Sequence, residues 1–291
     1  MLVIRLCAKS VFCFVLLISS AAAQNTVVVI PMAGDDLKPL ANIVTVATAN
    51  GDFSDPIAAI ASITDASVNN PYLLVFAPGV YDIGTQQFQM KPFVDVTGSG
   101  ENVTKLTGSI SSALNDATQA FVLGADNSRI QHLTIENING VSDKVTGIYN
   151  GFAASSLISN VTINLSGTIT QTGIYQQQSS NPISDVTITV SGGGNSRGII
   201  SSSSTIVVSN AFVNVSGTLG VYGIQTDGGT TYVRNSNVSA SGGSVRDGAG
   251  NNSNYISDSI LTGPVTGVTA LRCSFVFTHS GGEYASDCTL P

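Results

Sequence analysis

The repeat that decides the fold reads Gly147-Ile148-Tyr149, Gly173-Ile174-Tyr175, Gly198-Ile199-Ile200 and Gly223-Ile224-Gln225. Its glycines recur at a nearly constant spacing of about 25 residues, and a weaker copy follows at Gly248-Ala249. A fixed period of this length with no helical pattern inside it is typical of a solenoid, in which each repeat is one coil. The repeat runs from Thr146 to about Gly263.

Apolar residues within the repeat fall into columns one period apart, with polar residues between them. The four columns are Ile158, Ile183, Val208, Val233 and Ile256; Ile163, Ile188, Val213, Val238 and Leu261; Leu165, Val190, Val215 and Ala240; and Ile148, Ile174, Ile199 and Ile224. Alternation of apolar and polar residues indicates strands with one buried face. Because equivalent residues of successive coils stack about 4.8 Å apart, the sequence predicts an all-β parallel β-helix of about 25 residues per coil.

A column of asparagine and aspartate follows the glycines: Asn160, Asp185, Asn210 and Asn235, with Asp258 slightly out of step. We expect these residues at coil corners, where buried side chains bond to one another and to the backbone. The alternative is catalysis by Asp185 and Asp258. These two lie three coils apart, about 14 Å at the stacking distance, whereas inverting glycosidases hold their carboxyl groups roughly 6.5–9.5 Å apart.

Residues 1–23 have the pattern of an export signal. Arg5 and Lys9 precede the apolar run from Val11 to Ile18, and Ala21-Ala22-Ala23 fits a cleavage site. The sequence therefore predicts a signal peptide at 1–23 and a secreted chain, extracellular or periplasmic. An uncleaved anchor is the alternative. No later segment is apolar enough to predict a membrane span.

Residues 24–64 are predicted to hold an N-terminal strand and a short capping helix, before a β-helix over 65–265. Asp55 suits the helix N-cap and Pro56 the first helical position. Ile57, Ile60 and Ile63, with Ala61, are expected on the buried face. Because the end of a solenoid exposes apolar surface, this helix is the expected N-terminal cap.

Charge excludes one class of partner. The net charge is −7, and removal of a leader that carries two basic and no acidic residues makes it −9. Nucleic acid is therefore not an expected partner, because phosphate binding requires lysine and arginine. The many Ser, Thr, Asn and Gly residues suit a sugar-binding surface and, equally, simple solubility. No cofactor is predicted.

Two cysteines remain after the leader, Cys273 and Cys288. In an exported chain they are expected to form a disulfide that fastens a C-terminal cap over 266–291. A loop of about 15 residues gives roughly 3 kcal/mol of stabilisation in the chain-entropy treatment. With two histidines in the chain, zinc at this place is disfavoured and no metal site is predicted.

Motifs of the N-terminal third resemble the start of pectin methylesterases. They are Gly51-Asp52-Phe53, the helix over 57–63, Pro78-Gly79-Val80-Tyr81, Lys91-Pro92, Gly98-Ser99-Gly100 and Thr104. The regular coils that follow resemble the pectin-lyase-like superfamily. The resemblance implies a single-stranded right-handed parallel β-helix. It covers roughly 45–137 by motif and 138–265 by periodicity.

The catalytic motifs of these families are missing. Pectin methylesterases carry a Gln-Asp pair and a late Arg-Pro-Trp, whereas this chain has no Gln-Asp pair and no tryptophan. Polygalacturonases need paired aspartates on the sheet, but Asp35-Asp36 of this chain precedes the solenoid. Pectate lyases need calcium-binding acids and a catalytic arginine on neighbouring coils, and Arg197 with Asp247 is only a weak match to that set. Gly194-Asn195-Ser196-Arg197-Gly198 has the letters of a hydrolase elbow but no helix after it. No catalytic residue is predicted.

Tyr149 and Tyr175 are the candidate binding residues. They occupy one outward column on adjacent coils, which predicts rings about 5 Å apart on the surface. Such a pair has two interpretations, a ladder that stacks sugar rings or a cross-strand pair that stabilises the sheet.

Three functional hypotheses follow. The first is a secreted, non-catalytic β-helix that binds polysaccharide or cell-surface glycan, or serves an adhesive or surface-structural role. The second is a polysaccharide lyase, hydrolase or esterase with an unfamiliar site. The third is a structural rod without a ligand. The sequence makes no prediction of the oligomeric state.

Overall fold

The computed structural model describes residues 42–110, 120–140, 144–152, 155–192, 194–266 and 270–289. The predicted signal peptide lies outside the described residues. No helix within the described ranges is long and apolar enough to cross a bilayer.

The described chain is built almost entirely of strands, with one short helix, α1 (Pro56–Ser62). The strands are β1 (Asn42–Val46), β2 (Tyr72–Phe76), β3 (Gly79–Asp82), β4 (Phe88–Gln89), β5 (Val94–Thr97), β6 (Thr104–Gly108), β7 (Val122–Leu123), β8 (Arg129–Gly140), β9 (Lys144–Gly151), β10 (Leu157–Gly167), β11 (Thr170–Gln177), β12 (Ile183–Gly192), β13 (Asn195–Ser209), β14 (Phe212–Ser216), β15 (Val221–Arg234), β16 (Asn237–Ala240), β17 (Gly243–Asp247), β18 (Asn252–Thr262), β19 (Val265–Thr266) and β20 (Leu271–Thr278).

The strands stack in parallel into three faces, which we name sheets A, B and C. Sheet A runs β1, β2, β5, the starts of β8, β10 and β12, the ends of β13 and β15, and the starts of β18 and β20. Sheet B runs β3, β6, the ends of β8, β10 and β12, then β14, β16 and the ends of β18 and β20. Sheet C runs β4, β7, β9, β11, the starts of β13 and β15, then β17 and β19. The predicted parallel β-helix is confirmed.

The apolar columns form the core in the predicted register. Ile158 pairs with Ile183 in sheet A, Ile163 with Ile188 in sheet B, and Ile174 with Ile199 in sheet C. All of these side chains are buried. Since burial of one such side chain contributes about 1.5–3 kcal/mol, the columns hold successive coils in register.

The repeating glycines lie inside sheet C, and not at coil corners. A Cβ on Gly173 would stand 2.5 Å from the carbonyl oxygen of Gly198 in the next coil. The same approach recurs from Gly147 to Gly173, at 2.6 Å, and from Gly198 to Gly223, at 2.5 Å. The glycine column is therefore required by close stacking of the coils.

The asparagine and aspartate column does lie at the corners, between sheets A and B, but the expected burial is wrong. Asp185, Asn210, Asn235 and Asp258 are exposed. The members of the column share a positive φ, from 46° at Asn235 to 54° at Asp185. Asparagine and aspartate adopt this left-handed conformation more readily than other non-glycine residues. Their backbone preference turns the coil, with a bond from Asn210 Nδ2 to Asp185 Oδ1 of 3.0 Å.

Helix α1 forms as predicted, with Asp55 accepting a 2.8 Å hydrogen bond from the Ile57 N–H. Its buried residues are Pro56, Ala59 and Ile60. Ala61, expected on the buried face, is exposed, and Ala59 takes its place. The helix packs beside β1 and β4. Because β1 already pairs with β2, the stack begins before the predicted limit at residue 65.

The C-terminal tail covers the last coil. Cys273 and Cys288 form the predicted disulfide, with Cα atoms 5.1 Å apart. Tyr284 N–H donates to the Val276 carbonyl at 2.8 Å, and Cys273 N–H to the Ser286 carbonyl at 2.9 Å. These bonds occupy the open edge of β20, which carries the stack past residue 265 to Thr278.

Candidate functional site

The outward face of sheet C carries a group of polar and aromatic side chains from four successive coils. Ile174, Ile199 and Ile224 point inward, and the residues that directly follow them point outward by strand alternation. The pairing register is interrupted at Gly198 and Gly223, so that Arg197 and Tyr222, two positions before an inward isoleucine, also face outward. The outward group, named here the sheet C cluster, consists of Tyr175, Arg197, Tyr222, Gln225, Asp227 and Arg246.

A chain of hydrogen bonds runs through the centre of this cluster. Arg197 Nε donates to Gln225 Oε1 at 2.9 Å. Gln225 Nε2 donates to Asp227 Oδ1 and Oδ2 at 2.9 and 2.8 Å. The Ala249 N–H donates to Asp227 Oδ1 at 3.2 Å. Both carboxylate oxygens of Asp227 are therefore engaged, and the bonds fix the orientation of the Gln225 amide.

Glycine at position 248 makes this arrangement possible. A Cβ there would stand 1.5 Å from Asp227 Oδ1. The weak fifth copy of the repeat thus provides the space into which the carboxylate folds.

Arg246 approaches the same strand from the following coil. Its guanidinium carbon lies 4.2 Å from the centre of the Tyr222 ring, within the distance at which a cation is attracted to an aromatic face. Tyr222 is the register partner of Arg197, and Gln225 that of Arg246. The two arginines therefore reach across β15 from opposite sides.

Burial and neighbouring charges set the electrostatics of Arg197. Burial lowers the pKa of the Arg197 guanidinium, and the charge of Arg246 lowers it further, whereas Asp227, Tyr222 and Tyr175 raise it. Arginine stays protonated at neutral pH, so the cluster holds two cations against one carboxylate. Within the described part of the chain, nothing accepts a hydrogen bond from the Nη groups of Arg197 or from the Arg246 guanidinium.

The predicted pair, Tyr149 and Tyr175, meets on adjacent coils of this face. The two residues are register partners, and their ring centres lie 5.6 Å apart at 65°, edge to face. The expectation that both are exposed is wrong for Tyr149, which is 3% exposed and donates its hydroxyl to Gln177 Oε1 at 2.8 Å. Tyr175 is half-buried and belongs to the sheet C cluster. Sugar binding by this pair stays a prediction.

A second tyrosine pair, Tyr232 and Tyr255, forms a parallel aromatic stack, which the predicted pair Tyr149 and Tyr175 does not. The rings of Tyr232 and Tyr255 lie 5.0 Å apart at 15° on sheet A, with the Arg234 guanidinium 5.6 Å from the Tyr232 ring. The signal for this pair was present in the sequence. The two tyrosines immediately precede Val233 and Ile256, which the apolar columns align.

Other residues singled out in the sequence do not form a site. Asp247 points into the solenoid, is 8% exposed and accepts a hydrogen bond from Asn254, so it shares no surface with Arg197. Ser196 of the elbow-like segment is wholly buried in β13.

On sheet B, Lys105 and Glu136 form a 2.8 Å surface ion pair. In the ranges that the structure describes, no three His, Cys, Asp or Glu residues are placed to hold a metal ion.

Solved structures of pectin methylesterases have a fold similar to that of this chain. A pectin methylesterase bound to a hexasaccharide superposes with a TM-score of 0.55 at 12% identity, covering 86% of this chain and 92% of that one. Pectin methylesterase from Erwinia chrysanthemi gives 0.53 at 13%, with the same coverage. The Aspergillus niger enzyme gives 0.51 at 14%, covering 84% of this chain and 87% of its own.

This chain has the pectin-lyase-like right-handed parallel β-helix fold. At such identities the likeness concerns the fold alone. No protein-family model and no curated protein sequence matches the chain.

Proposed function

We propose that this protein is a secreted, non-catalytic β-helix that binds an acidic polysaccharide on the outward face of sheet C. The observation that carries the proposal is the pair Arg197 and Arg246, whose outer N–H groups have no acceptor among the described residues. Guanidinium groups bind carboxylates through paired, charge-assisted hydrogen bonds. The chemistry that complements this face is therefore a sugar ring with a carboxylate substituent.

The surroundings of the arginines favour binding. Partial burial of Arg197 reduces competition from water, so that a bound anion interacts more strongly than at an open surface. An anion between the two guanidiniums relieves their mutual repulsion, which adds to burial in lowering the pKa of Arg197 in the free protein. The half-buried rings of Tyr175 and Tyr222 supply apolar surface beside the charge.

Two further observations support the choice of ligand and location. The fold is shared with pectin methylesterases, one of which was solved with a hexasaccharide bound. The Cys273–Cys288 disulfide fits an oxidising compartment, as does the N-terminal pattern of an export signal.

Binding is favoured over catalysis because the cluster holds one carboxylate, Asp227, and that group is already engaged. Its oxygens accept three hydrogen bonds, from Gln225 and Ala249. Glycoside hydrolysis, moreover, requires a pair of carboxyl groups across the bond that is cleaved.

The test is calorimetric titration with oligogalacturonate and oligomannuronate, with cello-oligosaccharide as the uncharged control. We expect the acidic oligomers alone to bind, and Arg197→Gln and Arg246→Gln each to weaken binding by about tenfold or more, since a hydrogen bond to a charged group contributes about 1.5–3 kcal/mol.

Lys105→Gln is the matched control. It removes one positive charge from sheet B, where loss of a surface ion pair costs about 0–1 kcal/mol, and should leave binding unchanged. Equal affinity in wild type and both arginine variants would refute the assignment of the site.

A further inference from the structure

A second groove lies at the C-terminal end of sheet A, on a different face of the solenoid from the sheet C cluster. It has a volume of about 410 Å³, and its lining includes Tyr232, Arg234, Tyr255, Arg272, Ser274 and Ser286. Ligand-binding clefts of proteins are typically about 300–1,000 Å³. The groove is therefore large enough to take a small ligand or part of a chain.

Its floor is a stacked pair of tyrosine rings. The rings of Tyr232 and Tyr255 are stacked nearly parallel, 5.0 Å apart, and Tyr255 is 37% exposed. Because the residues come from successive coils, the inner faces of the two rings cover each other, and the outer face of Tyr255 is turned toward the next coil, where Arg272 is its register partner. The pair Tyr149 and Tyr175 meets edge to face and is not stacked in this way.

The rim of the groove is cationic. Arg234 lies over the Tyr232 ring, and Arg272 follows Tyr255 in register on the next coil. Both arginines are exposed. None of the described residues that line the groove is acidic, and the neighbouring carboxylate of Asp287 accepts its bonds from Thr289. This rim stands out in a chain whose net charge is −7.

One wall of the groove depends on the C-terminal tail. Ser286 belongs to that tail, and its carbonyl accepts a 2.9 Å hydrogen bond from the Cys273 N–H. Cys273, which also lines the groove, is linked to Cys288. The disulfide thus holds together the two segments between which the groove forms.

We propose that this groove is a second carbohydrate-binding site, in which a pyranose ring packs on the exposed Tyr255 and an anionic substituent contacts the arginines of the rim, Arg234 and Arg272. An aromatic face complements the apolar C–H face of a pyranose, while guanidinium and serine groups complement its substituents. Two sites on different faces make the protein bivalent, so that it bridges two polysaccharide chains or two parts of one chain. The groove is tested separately from the sheet C site.

The experiment removes the sheet C site and measures what binding is left. In the Arg197→Gln/Arg246→Gln protein, we expect oligogalacturonate or oligomannuronate to bind with a stoichiometry near one. Addition of Tyr255→Ala or Arg272→Gln should weaken this remaining binding by about tenfold or more. Phe277→Ala, which removes an exposed aromatic ring of sheet B on the same coil, should leave it unchanged.

The outcomes separate the two sites. If the double variant binds neither acidic oligomer, or binds equally well after Tyr255→Ala and Arg272→Gln, the second site is refuted. If wild-type binding is lost on Tyr255→Ala alone and is insensitive to the arginines of sheet C, the second site stands and the first is refuted. Folding of each variant is checked by circular dichroism. A groove that takes an aromatic peptide and no glycan would likewise refute the proposal.

Discussion

At the scale of single residues, backbone conformation explains one of the two repeated columns and close contact explains the other. The corner residues adopt positive φ while their side chains face solvent. The glycines lie where the next coil leaves no room for a Cβ. Both columns are visible in the sequence, but their reasons are not, because a period gives spacing without giving φ or the distance between coils.

The corner at Asn235 provides a direct test. Asn235→Val should destabilise the protein by about 1–2 kcal/mol, because a β-branched residue is strained in the left-handed conformation that position 235 adopts. Asn235→Gly is the matched control and should cost less, since glycine adopts positive φ without a steric penalty. Urea denaturation of the three proteins measures the difference. Equal stability of the valine and glycine variants would contradict the role given to this column.

At the scale of elements, the sequence predicts the columns of the core because each strand alternates and each coil repeats. Ile158, Ile163 and Ile174 pair as their spacing requires. The unbroken course of β13 and β15 from sheet C into sheet A was not predicted. Strand β13 continues by its pairing, although Ser203 makes the corner between the two sheets with a φ of 50°. Ser202 and Ser204 on either side of it pair with Asp227 and Gly229 of the next coil.

The C-terminal cap is the element whose stability rests most on a single bond. Removal of the Cys273–Cys288 disulfide, by the double variant Cys273→Ala/Cys288→Ala, should lower the free energy of unfolding by about 3 kcal/mol for its loop of 15 residues. Thermal and urea denaturation of wild type, with and without reductant, provide the comparison. Unchanged stability in both the variant and the reduced protein would mean that the tail does not depend on this link.

At the scale of the whole molecule, the fold follows from the repeat, but the candidate sites do not. Arg197 and Gln225 are 28 residues apart, slightly more than one period, so their contact depends on where each side chain leaves its coil. Tyr232 and Tyr255 are register partners and directly precede Val233 and Ile256 of one apolar column, so the alignment of that column also pairs the two tyrosines. The buried columns were therefore predicted correctly, whereas the outward residues beside them were not predicted as sites.

The central claim is that the solenoid binds an acidic polysaccharide without cleaving or de-esterifying it. The most direct test is one incubation with polygalacturonate and its methyl ester, in which bound polymer, reducing ends, unsaturated ends and methanol are measured together. We predict saturable binding of polygalacturonate that is weakened by Arg197→Gln and Arg246→Gln, with none of the three products above the protein-free control. Product release that increases with protein concentration, or no binding of either polymer, would contradict the account.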